Sequence, residues 1–117
     1  MSALVAFDLA NPGAPKHSKP APDRLISGDP SYRTWENAAA GQTGIRTGIW
    51  EATPGVTRSI KGGTWEFCTI LSGVVLLTED GGETRRFTAG DTFVMRPDFV
   101  GTWETVETVR KVFVAVS

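Results

Sequence analysis

From Ile45 onward apolar and polar residues alternate with a period of two, and no stretch carries the 3.6-residue period of an amphipathic helix. Residues 46–52, 56–60, 64–71, 74–78, 83–88, 92–95, 99–106 and 108–116 each read as a strand. Turn chemistry separates them. Thr53-Pro54-Gly55 carries a proline preset for a first corner, and Lys61-Gly62-Gly63, Ser72-Gly73 and Ala89-Gly90-Asp91 mark further breaks. Glu79-Asp80-Gly81-Gly82 is a hairpin signal, because Asp-Gly and Gly-Gly accept the positive φ of primed turns. Short strands at this spacing, with no helix between them, predict an all-β sandwich or barrel.

The first 44 residues break the pattern. Pro12, Pro15, Pro20, Pro22 and Pro30 fix φ and remove backbone donors, so the spacing predicts an extended N-terminal arm over 1–44 ahead of a barrel over 45–117. Residues 3–9 form a candidate edge strand, and residues 35–40 a single helical turn stopped by Gly41 and Gly44. Leu25, Ile26, Tyr32 and Trp35 would be wasted in solvent, so the arm is expected to drape over the barrel or a neighbouring subunit. Open sheet edges are normally covered or paired, and two-fold symmetry is the commonest way to close an oligomer. Leu4, Val5, Phe7 and Leu9 alternate partially, which suits an added strand. Together these features predict a homodimer in which the arm contacts the partner across more than about 1,000 Å².

Composition narrows the function classes. A chain of 117 residues that is 40% hydrophobic supports one domain with one core. Twelve basic and 13 acidic residues leave a net charge of −1 and no basic stripe, so nucleic acid is not an expected partner. No apolar run approaches the roughly 20 residues of a membrane helix. No cationic segment precedes the apolar run 3–7, which argues against a signal peptide, and the single Cys68 fits a reducing compartment. A cytoplasmic location is the expectation.

Glu66 and Gly73 stand seven positions apart (73 − 66 = 7), and a Gly90-Asp91 turn follows. In this spacing the chain resembles the cupins. The ordered set Gly48-Ile49-Trp50-Glu51, Thr53-Pro54-Gly55, Glu66-Phe67-Cys68, Ile70-Leu71-Ser72-Gly73, Phe99-Val100-Gly101-Thr102-Trp103-Glu104 and Arg110-Lys111 covers about residues 48–116. More narrowly, it resembles the short single-domain cupins grouped with (S)-ureidoglycine aminohydrolase and the ethanolamine-utilisation cupins. The resemblance implies a cupin-type double-stranded β-helix, the jelly-roll barrel. Metal-binding cupins place two histidines, one residue apart, just before the glutamate. Here those slots fall on Ile60 and Gly62, or on Ser59 and Lys61, and the third histidine slot falls near Gly101. The chain's one histidine, His17, lies in the arm. The Pro-x-Gly turn of the second cupin motif is altered to Arg96-Pro97-Asp98. Glu66 and Cys68 offer at most two ligands where a firm transition-metal site takes about three or four. No metal and no other cofactor is expected.

Alternation groups the candidate site residues. If Glu66 points inward, so do Thr64, Cys68 and Ile70; if Gly101 does, so do Phe99 and Trp103, with Gly101 leaving room where a ligand would be met. That gives an aromatic-lined cavity with a few polar groups, the make-up of a small-molecule site. Glu66 is the catalytic candidate, as a general base or as an acceptor for a ligand amine or hydroxyl. Its structural alternative is a carboxylate tied to Lys111, Arg58 or a backbone amide. Cys68 reads as a small buried hydrophobe, since no histidine is at hand to activate it. Trp103 either stacks on a ligand or packs the core. Lys111 beside Arg110 reads alone as a solvated edge, while the resemblance turns it toward the cavity. Trp50 and Glu51 are open in the same way, and Trp65 is expected to pack between sheets or subunits. The ligand-binding set is Glu66, Cys68, Arg58, Phe99, Trp103 and Lys111. Three functions fit: a metal-free cupin binding a small polar molecule, with catalysis left open; a hydrolase acting on a ureide C–N bond, as the resemblance implies; or a non-catalytic structural or accessory dimer.

Overall fold

The computed structural model describes residues 2–117. Its strands are β1 (Lys16–Ser18), β2 (Leu25–Gly28), β3 (Tyr32–Glu36), β4 (Ile45–Ala52), β5 (Gly55–Ile60), β6 (Trp65–Glu79), β7 (Thr84–Thr88), β8 (Thr92–Met95) and β9 (Val100–Val116). All pair antiparallel within one curled sheet. The long strand β9 organises it. Residues 109–116 of β9 pair with β4, residues 100–105 pair with β5, and β6 runs along the opposite edge. On its far side β6 pairs with β8 near its start and with β7 near its end. No helix of the described residues is long and apolar enough to cross a membrane.

Two pairs of expected strands are each one strand. Residues 64–71 and 74–78 merge into β6, and residues 99–106 and 108–116 merge into β9. The reason is Gly73. It is not a turn but a bulge: its φ is +87°, and the register of β6 against β9 shifts between Ile70 and Val75. A Cβ at this position would lie 2.1 Å from the Thr108 carbonyl oxygen, so the close approach of the two strands requires glycine. The Asp-Gly hairpin forms as expected between β6 and β7, with the Gly82 N–H donating to the Glu79 carbonyl at 2.8 Å. The altered Arg96-Pro97-Asp98 turn keeps a glycine-like backbone, because Asp98 takes a φ of 70°. Aspartate is one of the few residues that tolerate this left-handed conformation.

The N-terminal region departs furthest from expectation. Residues 2–15 contain no strand, so the expected edge strand over 3–9 is absent. β1, β2 and β3 lie between the prolines instead; Pro12, Pro15, Pro20, Pro22 and Pro30 all fall outside them. Proline forbids pairing only at its own position and disfavours it nearby, which leaves room for strands this short. β3 pairs with β4, β1 with β3, and β2 with β5, all within the chain. Trp35 and Glu36 end β3 rather than starting a helical turn, and the turn comes at residues 38–40. Trp35 is buried. The Arg33 and Arg110 guanidinium groups stand 5.0 and 4.7 Å from its ring centroid, and its indole N–H donates to the Gly13 carbonyl at 2.8 Å. Leu25 and Ile26 are not covered by their own barrel and remain exposed in the single chain.

The core comprises Ala52, Cys68, Ile70, Val75, Leu77, Met95, Trp103 and Val109, with Tyr32, Trp50, Phe87, Phe93 and Phe99 packed against it. Gly73→Ala is expected to lower stability by more than about 3 kcal/mol, since it adds both backbone strain and a clash with a main-chain carbonyl. Urea unfolding checks this; a loss below about 1 kcal/mol would show that the bulge relaxes around a side chain.

Candidate functional site

A cavity of about 240 Å³ opens between the β3–β4–β5 side of the sheet and the paired strands β6 and β9. Alternation places Glu66, Cys68 and Ile70 inward on β6, and Gly101, Trp103, Thr105, Val109, Lys111 and Phe113 inward on β9. At the floor the Glu66 carboxylate sits between two ammonium groups. Lys61 Nζ donates to Glu66 Oε1 and Lys111 Nζ to Glu66 Oε2, both at 2.7 Å. The Cys68 thiol lies beneath and donates to Glu66 Oε2 at 3.2 Å, and Lys111 Nζ reaches its sulfur at 3.5 Å. Lys111 also stands 4.7 Å from the ring centroids of both Trp50 and Trp103, which meet edge to face at 5.4 Å. The Trp103 indole donates to Thr105 Oγ1 at 3.0 Å, so its polar edge is satisfied inside the barrel.

These contacts fix the protonation states. Burial pushes the Glu66 carboxyl up, but the charges of Lys111 and Lys61 overcome it and hold the pKa at about 2. Burial likewise opposes the Lys111 ammonium; the Cys68 sulfur and Glu66 carboxylate beside it prevail and raise its pKa above the ordinary lysine value. Cys68 is pushed up to about 11, chiefly by burial, and stays a thiol. The Tyr32 phenol is raised by burial, partly offset by its hydrogen bond with Thr57. A carboxyl held at about 2 is a poor proton acceptor at neutral pH. Its chemistry here is to fix two cations in place.

The structure gathers Glu66, Trp103, Lys111 and Arg58 on this cavity, with Cys68 directly under its floor. Arg58 lies at the mouth and is paired with Asp80 at 2.7 and 2.9 Å, not with Glu66. Phe99 is elsewhere. It lines a separate hollow of about 780 Å³ with Leu77, Phe87 and Phe93. Phe99 does lie on the side of Gly101, but its ring turns into this second hollow rather than into the cavity over Glu66. Gly101 does not leave ligand space either: a Cβ there would meet the Thr78 carbonyl oxygen at 2.3 Å and the Phe99 ring at 2.8 Å. Trp50 faces the cavity, while Glu51 turns to the outer face to bind Arg33 and Arg110. Sequence reasoning missed Lys61 as a partner of Glu66, along with Tyr32, Thr57 and Arg46 as lining residues. A signal for Lys61 was present: of the two alternative slot pairs, Ser59 and Lys61 line the cavity, whereas Ile60 is exposed.

The donor set does not fit a transition metal. No group of three or more His, Cys, Asp or Glu side chains converges among the described residues. Both Glu66 oxygens are taken by ammonium groups, whose charge would repel a divalent ion.

A curled antiparallel β-sheet with a small cavity over an inward glutamate defines a cupin, the jelly-roll barrel expected above. The chain belongs to the EutQ-like cupin domain family, whose model matches residues 39–113. A protein of unknown function of the DUF861 family from Pseudomonas syringae pv. tomato is similar at 27% identity over 88% of this chain, with a TM-score of 0.75; the chain spans only 43% of that protein's length. The EutQ protein of Clostridium difficile shares the fold at 14% identity, covering 85% of this chain and 79% of that one, with a TM-score of 0.65. Ectoine synthase from P. lautus does so at 16% identity, covering 80% and 68%, with a TM-score of 0.66. No protein of curated function matches the chain.

The buried carboxylate makes stability depend on acid in a defined window. Its folded pKa, about 2, lies below its ordinary 4.5. The stabilisation is therefore complete above about pH 4.5 and is lost as pH falls through about 2. That difference corresponds to about 3 kcal/mol. Urea unfolding of Glu66→Gln is expected to show a deficit of that order at pH 7 that closes as the pH approaches 2. A deficit unchanged with pH would show that the carboxylate charge is not what stabilises the fold.

Proposed function

We propose that this cupin binds a small polar molecule in the cavity above Glu66, without a tightly bound metal. The observation that carries the reading is the Glu66 carboxylate clamped between Lys61 and Lys111 at the floor of a small aromatic-walled cavity. Buried charges that only have to cancel are more cheaply replaced by apolar side chains. Charges kept in a hollow with aromatic walls fit recognition of a ligand. The cavity lies just under the roughly 300 Å³ at which pockets for drug-sized molecules begin, so a small molecule suits it. The hydrolytic alternative, on a ureide C–N bond, depends in the resembled enzymes on a metal held by histidines. This cavity offers Ser59 and Lys61 in two of those places, glycine in the third, and a glutamate already spent on two lysines, which favours binding over that chemistry.

Thermal-shift screening with amino acids, ureides and sugars is expected to give at least one ligand that raises the melting temperature equally with and without EDTA. Elemental analysis of protein purified without chelator is expected to find no stoichiometric Mn, Fe, Ni or Zn. One metal per chain, lost in Glu66→Gln, would overturn the metal-free reading, and a screen without any shift would overturn ligand binding.

A second reading, the accessory homodimer, is favoured by β2. It ends the strand order of the sheet and leaves Leu25 and Ile26 40% and 51% exposed. Light scattering is expected to give the mass of two chains for the full-length protein and of one for Ile26→Asp. A full-length chain that runs as a monomer at micromolar concentration would end this reading.

A further inference from the structure

We infer that the molecule taken by this cavity is a small monocarboxylate, received by the Lys61 ammonium, with its apolar body against Tyr32, Met95 and Phe113. This rests on the binding reading above and specifies its ligand. Charge comes first. The cavity is lined by Arg46, Arg58, Lys61, Lys111 and Glu66. Arg46 is neutralised by Glu36 and Arg58 by Asp80, each within hydrogen-bonding distance. What remains is Lys61 and Lys111 against Glu66, two cations against one anion. A surplus cation in a partly enclosed hollow attracts and concentrates anions far more than it would in open water.

The surplus falls to Lys61. Lys111 is fully engaged: its ammonium touches Glu66, Cys68 and the faces of Trp50 and Trp103, and it is buried. Lys61 carries three N–H donors, and among the described residues Glu66 is the one partner recorded for them. Its side chain keeps 17% of its surface exposed while lining the cavity, so two donors remain available from the ligand side. The arginine forks that would grip a dianion are already held by carboxylates at the rim. That leaves one charge to be met, and a carboxylate meets it. The remaining walls combine the apolar surfaces of Tyr32, Trp103, Met95 and Phe113 with the hydroxyl groups of Thr34, Thr57 and Ser59, so the body of the molecule meets apolar surface with a few neutral hydrogen-bonding groups beside it.

The test compares acids with their neutral isosteres by calorimetry and tryptophan fluorescence: butyrate against butyramide, benzoate against benzamide, 2-furoate against 2-furamide. At least one acid is expected to bind about tenfold or more tighter than its amide, the difference that charge-assisted hydrogen bonding confers. Lys61→Gln, which leaves Glu66 its partner Lys111, is expected to abolish that preference while Lys61→Arg keeps it. Amides binding as well as acids would overturn the carboxylate inference and leave the binding reading standing. An acid preference that survives in Lys61→Gln would overturn the assignment to Lys61. If no acid and no amide binds at millimolar concentration, the carboxylate inference falls, while the binding reading stands or falls with the thermal-shift screen above. The acid–amide comparison on the unaltered protein decides the ligand class even if Lys61→Gln fails to fold.

Discussion

Everything in the interior of this barrel is arranged around one buried carboxylate held between two ammonium groups. Glu66 comes from β6, Lys111 from β9, and Lys61 from the turn after β5, so the triad joins three parts of the sheet at one point. Removing a charge from water costs several kcal/mol even after relaxation. The site meets that cost by saturation: both carboxylate oxygens accept from an ammonium, and the buried Lys111 also rests on two indole faces. For Glu66 and Lys111 the protonation states follow from these contacts rather than from burial, which would by itself favour their neutral forms. Breaking the triad at one member strands the others, whereas replacing the whole set by apolar groups would cost little.

The sheet was legible because period-two alternation and turn residues act locally, and local signals survive in a single sequence. The β6–β7 hairpin needed only Asp80, Gly81 and Gly82 to be foreseen. The merging of segments into β6 and β9 was not legible, since Gly73 reads equally as a turn or as a bulge. Only the approach of the Thr108 carbonyl from β9 decides between them. The N-terminal strands were hidden by prolines, whose effect is confined enough to leave pairing segments of three to five residues between them. Their partners are β4 and β5, and nothing in the first 44 residues names those partners.

The site was legible where alternation applied and opaque where the chain left a strand. Glu66 and Trp103 lie within strands and were grouped by alternation, whereas Lys111, also within a strand, was turned toward the cavity by the family resemblance alone. Phe99 stands one residue before β9 and Lys61 one residue after β5, outside the strands to which alternation was applied, although Lys61 continues the inward parity of Thr57 and Ser59. The first was placed in the cavity and lies in another hollow. The second passed as part of a turn and supplies half of the clamp on Glu66. Backbone geometry proved more durable than residue identity at Asp98, which reproduces a positive φ with a different side chain.

The same contrast governs what the cavity can recognise. A metal ion and a tethered ammonium both supply positive charge beside a carboxylate, but they differ in what remains for a ligand. A metal offers open coordination positions and polarises whatever binds there. An ammonium offers only its unspent N–H donors and one unit of charge, in directions set by its stem. With Glu66 spent on two lysines and Lys111 enclosed by tryptophan, a ligand entering this cavity would meet Lys61, the rings of Tyr32, Trp103 and Phe113, and the hydroxyls of Thr34, Thr57 and Ser59. If a ligand binds there, its selectivity would come from charge balance, because a single excess cation rewards one anionic group and leaves a second without a partner.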